Sequence, residues 1–599
     1  MNYKGCLGKG IKIAIIDSGI DTEREEFQNV SITKLNVCND RIGHGTAVTA
    51  ILSHLAKESI FYCYNLFDQN GVVDTRELIE VLDYITATEH YDIIHLSCGV
   101  MAYDLEALYI KCKEITDSGT IIVSAFDNQG IISYPAAFDN VIGVDWSKFC
   151  SDGTKYFYVE NSPINILGIG ALQKLPWANG CYKYVAGASF AAPYISGIIA
   201  KMLESGIPSS EIVSCLKDNA QKILKIDNEQ YHPIKQELNI SKAVLLPFNK
   251  EIQTLSAFED MLEFQVENYY DFLPFRNVGK TCSSITKLGD SERRIHSFSE
   301  IDWNSDFDTV ILGHVDVVSD ALKKDILKDI LELCISFKKN LYAFDDLRPY
   351  AKLTERLEEL GCFAFFPKVE LCEVDKRMMG KMHEVSTPIL AIFGTSSKQG
   401  KFSLQLMLRK KFKEIGYNVG ALGTEPASLL FGMDRVYPMG YGRVGLSGQD
   451  NIEVINRYMH EIDVKHYDLI ITGSQSLTVP LNTGNIAHYP LAQHEFFTAV
   501  SPDGVVLCVN PFDESEYVQR TVNYLNNYMY SKVIALVMIP RMRSMDWAIQ
   551  GTQSEELAED ILKQRCAFYR DLVGVPCFVS DSGQNVEELV QCIIDFFSE

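Results

Sequence analysis

The first 245 residues alternate short apolar runs with stretches of helical hydrophobic period. Continuous apolar runs are typical of strands buried on both faces of a parallel sheet; here they occupy residues 11–17, 60–66, 93–97 and 120–125. The period of the intervening stretches predicts helices over residues 45–57, 74–89, 104–117 and 193–204. This alternation predicts a doubly wound α/β fold, whose functional side chains lie at strand ends and helix starts.

The rest of the chain shows the same alternation twice more. After a connector with a short helix over 246–265, a smaller α/β domain is predicted from strands at 309–313, 340–344 and 362–366 and a helix over 322–337. A further parallel sheet is predicted from runs at 388–394, 505–510 and 532–541, with a closing helix over 586–597. We therefore expect three α/β domains, at residues 1–245, 246–385 and 386–599.

Three short motifs place reactive side chains at such positions in the first domain. Asp17 ends the first apolar run, His44 lies in Gly-His-Gly-Thr-Ala-Val, and Ser189 lies in Gly-Ala-Ser-Phe-Ala-Ala-Pro. A serine hydroxyl is a weak nucleophile, so it needs a neighbouring base, and a histidine oriented by a carboxylate can supply one. Taken singly, the three residues are equally a turn aspartate, a buried histidine and the first serine of a helix.

In this order, the motifs resemble the aspartate, histidine and serine motifs of the subtilisin-like serine peptidases. A fourth stretch, Ile-Val-Ser-Ala-Phe-Asp-Asn-Gln129-Gly130, resembles the segment that carries the oxyanion-hole asparagine in that family, here Asn128. The resemblance covers roughly residues 1–245. It implies a subtilisin-like fold and a serine endopeptidase in which Ser189 attacks, His44 moves the proton and Asp17 orients the imidazole.

Two features bear on how such a site would work. Asp127 stands where the family usually has glycine, and a carboxylate beside an oxyanion hinders catalysis unless it points away. The stretch His-Leu-Ser97-Cys98-Gly99 resembles the substrate-binding strand of the family, with a cysteine in an unusual place. We expect it to pair with an extended peptide backbone; the alternative is an ordinary buried strand.

A glycine-rich loop opens the last domain. The expected phosphate-binding residues lie in Gly-Thr-Ser-Ser-Lys-Gln-Gly-Lys-Phe-Ser between a strand and a helix: Gly394, Thr395, Gly400, Lys401, Phe402 and Ser403. The gap between the glycines is one residue longer than in the common motif, and Phe402 fills the usual metal-binding hydroxyl position. The loop resembles the variant P-loops of the dethiobiotin synthetase type. Residues 266–599 resemble an uncharacterised family that joins a Rossmann-like domain to such a P-loop domain.

Further polar residues follow other strands of these two domains. Glu425, Asp468 and Gln475 are candidates for the nucleotide site, although Asp468 is equally a residue at the start of a strand. We expect ATP or another nucleotide with Mg²⁺ there. The peptidase chemistry itself requires no cofactor or metal. We interpret His314 and Asp345 as loop and helix-start residues rather than as a site.

Charge and cysteine content narrow the function classes. The net charge of −24 argues against nucleic acid and anionic membranes as partners. Sixteen cysteines without a C-x-x-C pair predict reduced thiols rather than a zinc site. The chain opens without the apolar core of a signal peptide, and no apolar run reaches the length of about 18 residues that a membrane span needs. We therefore expect a cytoplasmic protein.

These expectations combine into one hypothesis and its alternatives. The chain is predicted to be an intracellular subtilisin-like endopeptidase that acts on a specific peptide or protein, for example by leader removal, with a fused nucleotide-binding module. In the alternative, the P-loop module is the working enzyme, a nucleotide-dependent ligase or transferase, and the peptidase-like domain is a degenerate binding scaffold. A third hypothesis is that nucleotide occupancy sets the peptidase activity.

Overall fold

The described part of the chain forms two compact units. The computed structural model describes residues 3–598 except 68–73, 102–104, 129–130, 151, 227–230, 237, 274–275, 287–290, 376–379, 440–444, 485, 544–553 and 581–582. The first unit comprises Met1–His232 with Asp375–Glu384, and the second comprises Pro233–Val374 with Val385–Glu599. Among the described helices, none combines the length and the apolar character that crossing a membrane requires.

The first unit contains a nine-stranded sheet and a small hairpin. Its strands are β1 (Lys12–Asp17), β2 (Ser31–Lys34), β3 (Ile60–Asn65), β4 (Ile93–Leu96), β5 (Ile121–Ala125), β6 (Ile142–Trp146), β7 (Phe157–Glu160), β8 (Ile166–Gly168), β9 (Gln173–Pro176), β10 (Tyr182–Val185) and β11 (Lys222–Lys225). The sheet order is β11-β7-β8-β6-β5-β4-β1-β3-β2, and β9 pairs with β10. The central strands are parallel, as the continuous apolar runs predict.

Helices cover both faces of this sheet. They are α1 (His44–Leu55), α2 (Thr75–Thr88), α3 (Glu106–Asp117), α4 (Ala188–Glu204) and α5 (Ile212–Asp218). One apolar cluster includes Val48 of α1 and Ile195 of α4, and a second includes Leu82 of α2 and Leu108 of α3. The expected doubly wound α/β architecture is confirmed.

Helix α4 begins at Ala188 rather than at Pro193, where the pattern places its start. Proline has no N–H, so inside a helix it leaves the carbonyl four residues earlier without its usual donor. That carbonyl belongs to Ser189, and the Ser97 hydroxyl donates to it at 3.1 Å. The helix therefore continues through Pro193 because a side chain from the sheet replaces the missing donor.

In the second unit, the first sheet has six parallel strands. They are β12 (Lys242–Leu246), β13 (Gln265–Asp271), β14 (Ile295–Ser297), β15 (Thr309–Leu312), β16 (Asn340–Ala343) and β17 (Ala364–Phe365), in the order β14-β13-β12-β15-β16-β17. The helices are α6 (Lys250–Ala257), α7 (Cys282–Thr286), α8 (Asp316–Leu322), α9 (Ile326–Phe337) and α10 (Ala351–Glu359). The single helix expected over 322–337 begins instead at Ile326, because Lys323 is left-handed and Asp325 caps α9.

The last sheet has seven parallel strands. These strands are β18 (Ile389–Gly394), β19 (Val419–Gly423), β20 (Arg435–Val436), β21 (Leu469–Thr472), β22 (Gly504–Val509), β23 (Lys532–Met538) and β26 (Cys577–Val579). Two further strands, β24 (Arg541–Arg543) and β25 (Ser554–Glu556), form a separate hairpin. The order is β20-β19-β21-β18-β22-β23-β26. Its helices are α11 (Lys401–Glu414), α12 (Gly448–Asp463), α13 (Leu491–Val500), α14 (Ser515–Tyr528), α15 (Glu559–Val573) and α16 (Gly583–Ser598).

The two sheets of the second unit share one apolar cluster. Leu245 and Tyr342 from the six-stranded sheet pack in the same cluster as Leu406 and Phe431 from the seven-stranded part. Strand β12 straddles the boundary expected after residue 245, because its buried run continues through Leu246. The stretch 376–379, shortly before the expected start of the P-loop domain at residue 386, lies outside the described residues.

Candidate functional site

Asp17 and His44 meet at the carboxyl end of β1. Asp17 is the last residue of that strand and is buried, and His44 is the first residue of α1. The imidazole Nδ1 lies 2.8 Å from Asp17 Oδ1 and 3.1 Å from Oδ2. Burial alone raises the pKa of a carboxyl, but the facing His44 outweighs it, so the pKa of Asp17 lies below its usual value. Burial likewise opposes charge on His44, yet Asp17 holds the pKa of His44 above its usual value.

A second buried carboxylate, which the sequence reasoning missed, fixes the start of α1. Asp40 accepts from the Gly43 N–H at 2.6 Å, the Thr46 N–H at 2.9 Å and the Ser18 hydroxyl at 2.9 Å. These bonds satisfy N–H groups that have no partner at a helix N-terminus. The signal in the sequence is a carboxylate shortly before the Gly-His-Gly-Thr motif, although that spacing is too common to identify it.

Gly45 allows α1 to approach the catalytic strand. A Cβ at this position would lie 2.2 Å from the Gly19 carbonyl oxygen and 3.2 Å from Asp17 Cβ. Any side chain would therefore push the helix away from β1. The glycine after His44 is required by this close approach, which sets the contact between Asp17 and the imidazole.

Ser189 is the second residue of α4 and is partly exposed. Its hydroxyl donates to the Ser97 carbonyl at 3.2 Å. Within the described residues no hydrogen bond joins Ser189 to His44, so the structure forms the Asp17–His44 half of the expected triad but not the His44–Ser189 half. The imidazole lies beside the next residue, with 5.0 Å between the ring centroids of His44 and Phe190. Rotation about the serine Cα–Cβ bond changes the direction of the hydroxyl without moving the helix.

Asn128 lies beside the same helix start. Its side-chain oxygen accepts from the Ala188 N–H at 2.7 Å, so the amide is fixed next to Ser189. A Cβ on Gly187 would lie 2.4 Å from that oxygen. The asparagine fits only because a glycine precedes the helix, and within the described residues its NH₂ group donates no hydrogen bond. Gln129 and Gly130 of this motif lie outside the described residues.

A buried histidine outside the predicted set connects β4 to α4. His95 Nδ1 is 2.8 Å from the Ser196 hydroxyl and Nε2 is 2.8 Å from the Ser97 hydroxyl. Burial lowers the pKa of His95 to about 4, so it stays neutral and acts as a hydrogen-bonding link. The link fixes Ser97, which in turn holds the Ser189 carbonyl.

The expected peptide-binding stretch follows β4 directly. Ser97 and Cys98 are buried, whereas Gly99 is exposed. Burial raises the pKa of Cys98 to about 12, which makes this thiol a poor nucleophile. A Cβ on Gly99 would contact the Ser133 side chain at 3.1 Å. Glycine therefore allows a close approach to Ser133 while position 99 itself stays exposed.

Asp127, the residue before Asn128, interacts with Ser133 and with Asp145 of β6. Its N–H donates to the Ser133 hydroxyl at 3.0 Å. Its charge adds to burial in raising the pKa of Asp145 at β6. The aspartate therefore keeps a neighbouring carboxyl closer to the protonated form.

In the second unit, the glycine-rich loop connects β18 to α11. Thr395 accepts from the Gln399 amide at 2.7 Å and donates to Asp513, and Gly400 is left-handed with φ of 66°. A Cβ on Gly394 would lie 2.5 Å from the Gln399 side chain and 3.2 Å from Lys401 Nζ. The left-handed backbone favours glycine at position 400, and Gly394 lets the Gln399 and Lys401 side chains approach the end of β18.

Lys401 occupies the position of a phosphate-binding lysine. It is buried, and its ammonium group donates to the carbonyl oxygens of Ser396 at 2.8 Å and Ser476 at 2.9 Å. Burial lowers the pKa of Lys401 to about 8. Since no carboxylate pairs with it within the described residues, an anionic ligand would stabilise the charge.

Phe402 and Ser403 differ in what they can do. The Phe402 ring packs edge-to-face on Phe431, with centroids 5.8 Å apart, and joins the core shared by the two sheets. The aromatic residue therefore contributes packing where the common motif has a metal-binding hydroxyl. Ser403 lines the cavity beside the loop.

Of the remaining candidates, Glu425 and Gln475 lie at this cavity and Asp468 does not. The cavity has a volume of about 2040 Å³ and is lined by Lys401, Glu425 and Gln475 among other residues. Asp468 precedes β21, which runs parallel to β18, so it lies at the opposite edge from the loop. There it accepts from the Asn418 N–H at 2.7 Å. The assignment of Asp468 to the nucleotide site is therefore wrong, and the residue holds the start of its strand.

His314 and Asp345 also differ from expectation, because they form a pair. His314 Nδ1 is 2.6 Å from Asp345 Oδ1, and Asp345 Oδ2 accepts from the Val315 N–H at 2.8 Å. Asp345 raises the pKa of His314, against the effect of burial. Two residues interpreted separately as loop positions thus form one oriented unit. Within the described residues no cluster of metal-ligating side chains is present.

Comparison with known proteins gives a family match for each of these two parts of the chain. Residues 8–232 match the Subtilase family, and residues 376–586 match a P-loop domain of unknown function (DUF1611_C). The chain thus carries a subtilase domain in its N-terminal part and a P-loop domain in its C-terminal part. The first match ends at His232, which is also the end of the first of the two segments that form the first unit.

Several similar proteins each match about a third of this chain. A major intracellular serine protease from Bacillus subtilis is 29% identical over 33% of this chain and 69% of its own length. Subtilisin-like protease SBT6.1 from Arabidopsis thaliana is 28% identical, over 37% of this chain and 23% of its own length. A solved cold-adapted subtilisin-like serine proteinase is 21% identical, over 36% of this chain and 83% of its own, with a TM-score of 0.32.

Proposed function

We propose that the first unit is a serine endopeptidase in which Ser189 attacks the peptide carbonyl. The observation that carries the proposal is the hydrogen-bonded Asp17–His44 pair beside the helix turn that holds Ser189. His44 accepts the serine proton and passes it to the leaving amine, and Asp17 stabilises the imidazolium. Asn128 donates to the oxyanion, a bond of this kind being worth about 3–4 kcal/mol.

Formation of the missing His44–Ser189 bond is part of this proposal. The hydroxyl leaves the Ser97 carbonyl and turns to His44 when a peptide occupies the site. Catalytic hydrogen bonds are often formed only in the substrate complex. The substrate lies along Ser97–Gly99 as an added strand, with its backbone paired to the exposed Gly99.

We propose that the substrate is a specific peptide or protein in the cytoplasm, with leader removal as the first reaction to test. All sixteen cysteines are free thiols, as a reducing compartment favours. One similar protein is named an intracellular protease. Because the Ser189 hydroxyl is held on the Ser97 carbonyl rather than on His44, such an enzyme is better suited to discrete processing than to general digestion.

Cleavage of a peptide library followed by mass spectrometry tests the peptidase directly. We expect wild type to give defined cleavage sites, and Ser189→Ala to lower the rate by roughly 10⁴-fold or more because the nucleophile is lost. Ser205→Ala, at the other end of α4, is the matched control and should cleave at the wild-type rate. Equal product formation by wild type and Ser189→Ala would remove the proposal.

We further propose that the P-loop binds a nucleoside triphosphate. Buried Lys401, without a carboxylate partner in the part described, favours this second function. Isothermal titration with ATP and Mg²⁺ should show binding that Lys401→Ala weakens at least about tenfold, because a charge-assisted bond to phosphate is lost. Lys413→Ala on the same helix is the control, and equal affinity of all three proteins would contradict the proposal.

A further inference from the structure

The carboxyl edge of the six-stranded sheet carries reactive residues that neither proposed activity uses. The strand order reverses direction between β12 and β15. Parallel α/β sheets bind ligands in the crevice at such a point. Lys250 follows β12, His314 follows β15 and Asp345 follows β16. All three precede residue 376, where the matched P-loop domain begins.

The His314–Asp345 pair has the geometry of an oriented base. One carboxylate oxygen contacts Nδ1 at 2.6 Å, and the other is held by the Val315 N–H. This arrangement places the proton on Nδ1 and leaves the lone pair on Nε2. The His314 side chain is 42% exposed, and within the described residues its Nε2 forms no hydrogen bond. A histidine of this kind can accept a proton from a ligand.

A short chain of contacts connects this histidine to the P-loop cavity. The Asn249 amide donates to the His314 carbonyl at 3.2 Å, and Asn249 caps α6, whose first residue is Lys250. A Cβ on Gly313 would lie 2.9 Å from that amide, so glycine permits the approach. Lys250 lines the same cavity as Lys401.

The cavity also holds two opposite charges without partners in the described part of the chain. Lys250 is exposed and forms no ion pair there, and Glu425 forms no side-chain hydrogen bond there. Burial raises the pKa of Glu425, and neighbouring Glu251 adds to this, against the effects of Lys250, Lys401 and His314. A ligand that carries both an acceptor and a donor could pair with these two side chains, exposed Lys250 and partly buried Glu425. Tyr342 fixes the adjoining loop, since its hydroxyl donates to the Pro426 carbonyl at 2.7 Å.

We propose that this edge binds the acceptor of a phosphoryl transfer, a small molecule with a carboxylate and a hydroxyl. Lys250 holds the carboxylate, and His314 Nε2 accepts the hydroxyl proton. The acceptor oxygen bonds to the terminal phosphorus of the bound nucleoside triphosphate, the bond from that phosphorus to its bridging oxygen breaks, and the nucleoside diphosphate leaves beside Lys401. This inference rests on the proposed nucleotide function of the P-loop.

The test measures nucleotide binding and turnover separately in the full chain. ATP binding is followed by titration calorimetry. Turnover is followed as ADP formation from ATP and Mg²⁺, in water and with glycolate, lactate, glycerate or malate. Because His314 acts on the acceptor, His314→Gln should leave ATP affinity within about twofold and lower turnover roughly 100-fold. His296→Gln is the control. His296 lies on edge strand β14, is similarly exposed at 44%, and also faces a carboxylate, that of Glu300.

The outcomes separate the two proposals. Turnover stimulated by one acid in wild type and in His296→Gln, but lost in His314→Gln, supports the inference. In the same series, Lys250→Ala should raise the KM for that acid. The inference is overturned, and the nucleotide function is kept, if wild type binds ATP but forms ADP in none of these mixtures. The same holds if His314→Gln forms ADP at the wild-type rate. Absence of ATP binding by wild type overturns the nucleotide function itself.

Discussion

The protonation of His44 sets the pH range in which Ser189 can be activated. The imidazole must be neutral to accept the serine proton, so activity is lost as pH falls through its pKa. Burial favours the neutral form, but Asp17 outweighs it and raises the pKa of His44 above its usual value. The acid limb of the rate profile therefore lies at a higher pH than the value of about 6.5 that an isolated histidine would give.

Removing the charge of Asp17 should shift this limb. In Asp17→Asn the pKa of His44 falls, so the acid limb of peptide cleavage moves to lower pH. The plateau should drop about 10⁴-fold because the asparagine favours the wrong imidazole tautomer. The measurement is the cleavage rate from pH 5 to pH 9, with exposed His54→Gln on the same helix as control. An unchanged limb in Asp17→Asn would contradict the account of the pair.

Individual residues were predictable where a motif carries them. Asp17 and His44 come together as the motifs indicate, but the direction of the Ser189 hydroxyl is a rotamer choice that its neighbours decide. Asp40 escaped notice because a capping carboxylate has no distinctive sequence pattern. His314 and Asp345 were interpreted as separate loop and helix-start residues, because their pairing depends on two strands that lie adjacent only in the folded sheet.

At the scale of elements, hydrophobic pattern predicted the buried strands well. Strands β1, β3, β4 and β5 lie within or close to their predicted bounds, because each is apolar on both faces. The start of α4 was misplaced because the Ser97 donor that lets the helix continue through Pro193 is remote in sequence. Edge strand β11 and its neighbour β7 mix polar and apolar residues, which leaves no clear pattern.

At the scale of the whole molecule, the chain combines two α/β units with separate chemistry. The first holds the Asp17–His44 pair and Ser189, and the second holds a P-loop whose cavity is also lined by α6, the helix that follows β12. Sequence predicted both centres from their motifs. It did not predict that the last two expected domains share one core, since that contact depends on tertiary packing.

The central claim is that His44 activates Ser189, and covalent labelling tests it most directly. The intact chain is treated with a fluorophosphonate probe, which reacts with an activated serine, and the modified residue is mapped by mass spectrometry. We predict a single label on Ser189 that His44→Ala abolishes and His54→Ala retains, because only the first histidine contacts Asp17. Absence of label from wild-type Ser189, or equal labelling of the His44→Ala variant, would contradict the account.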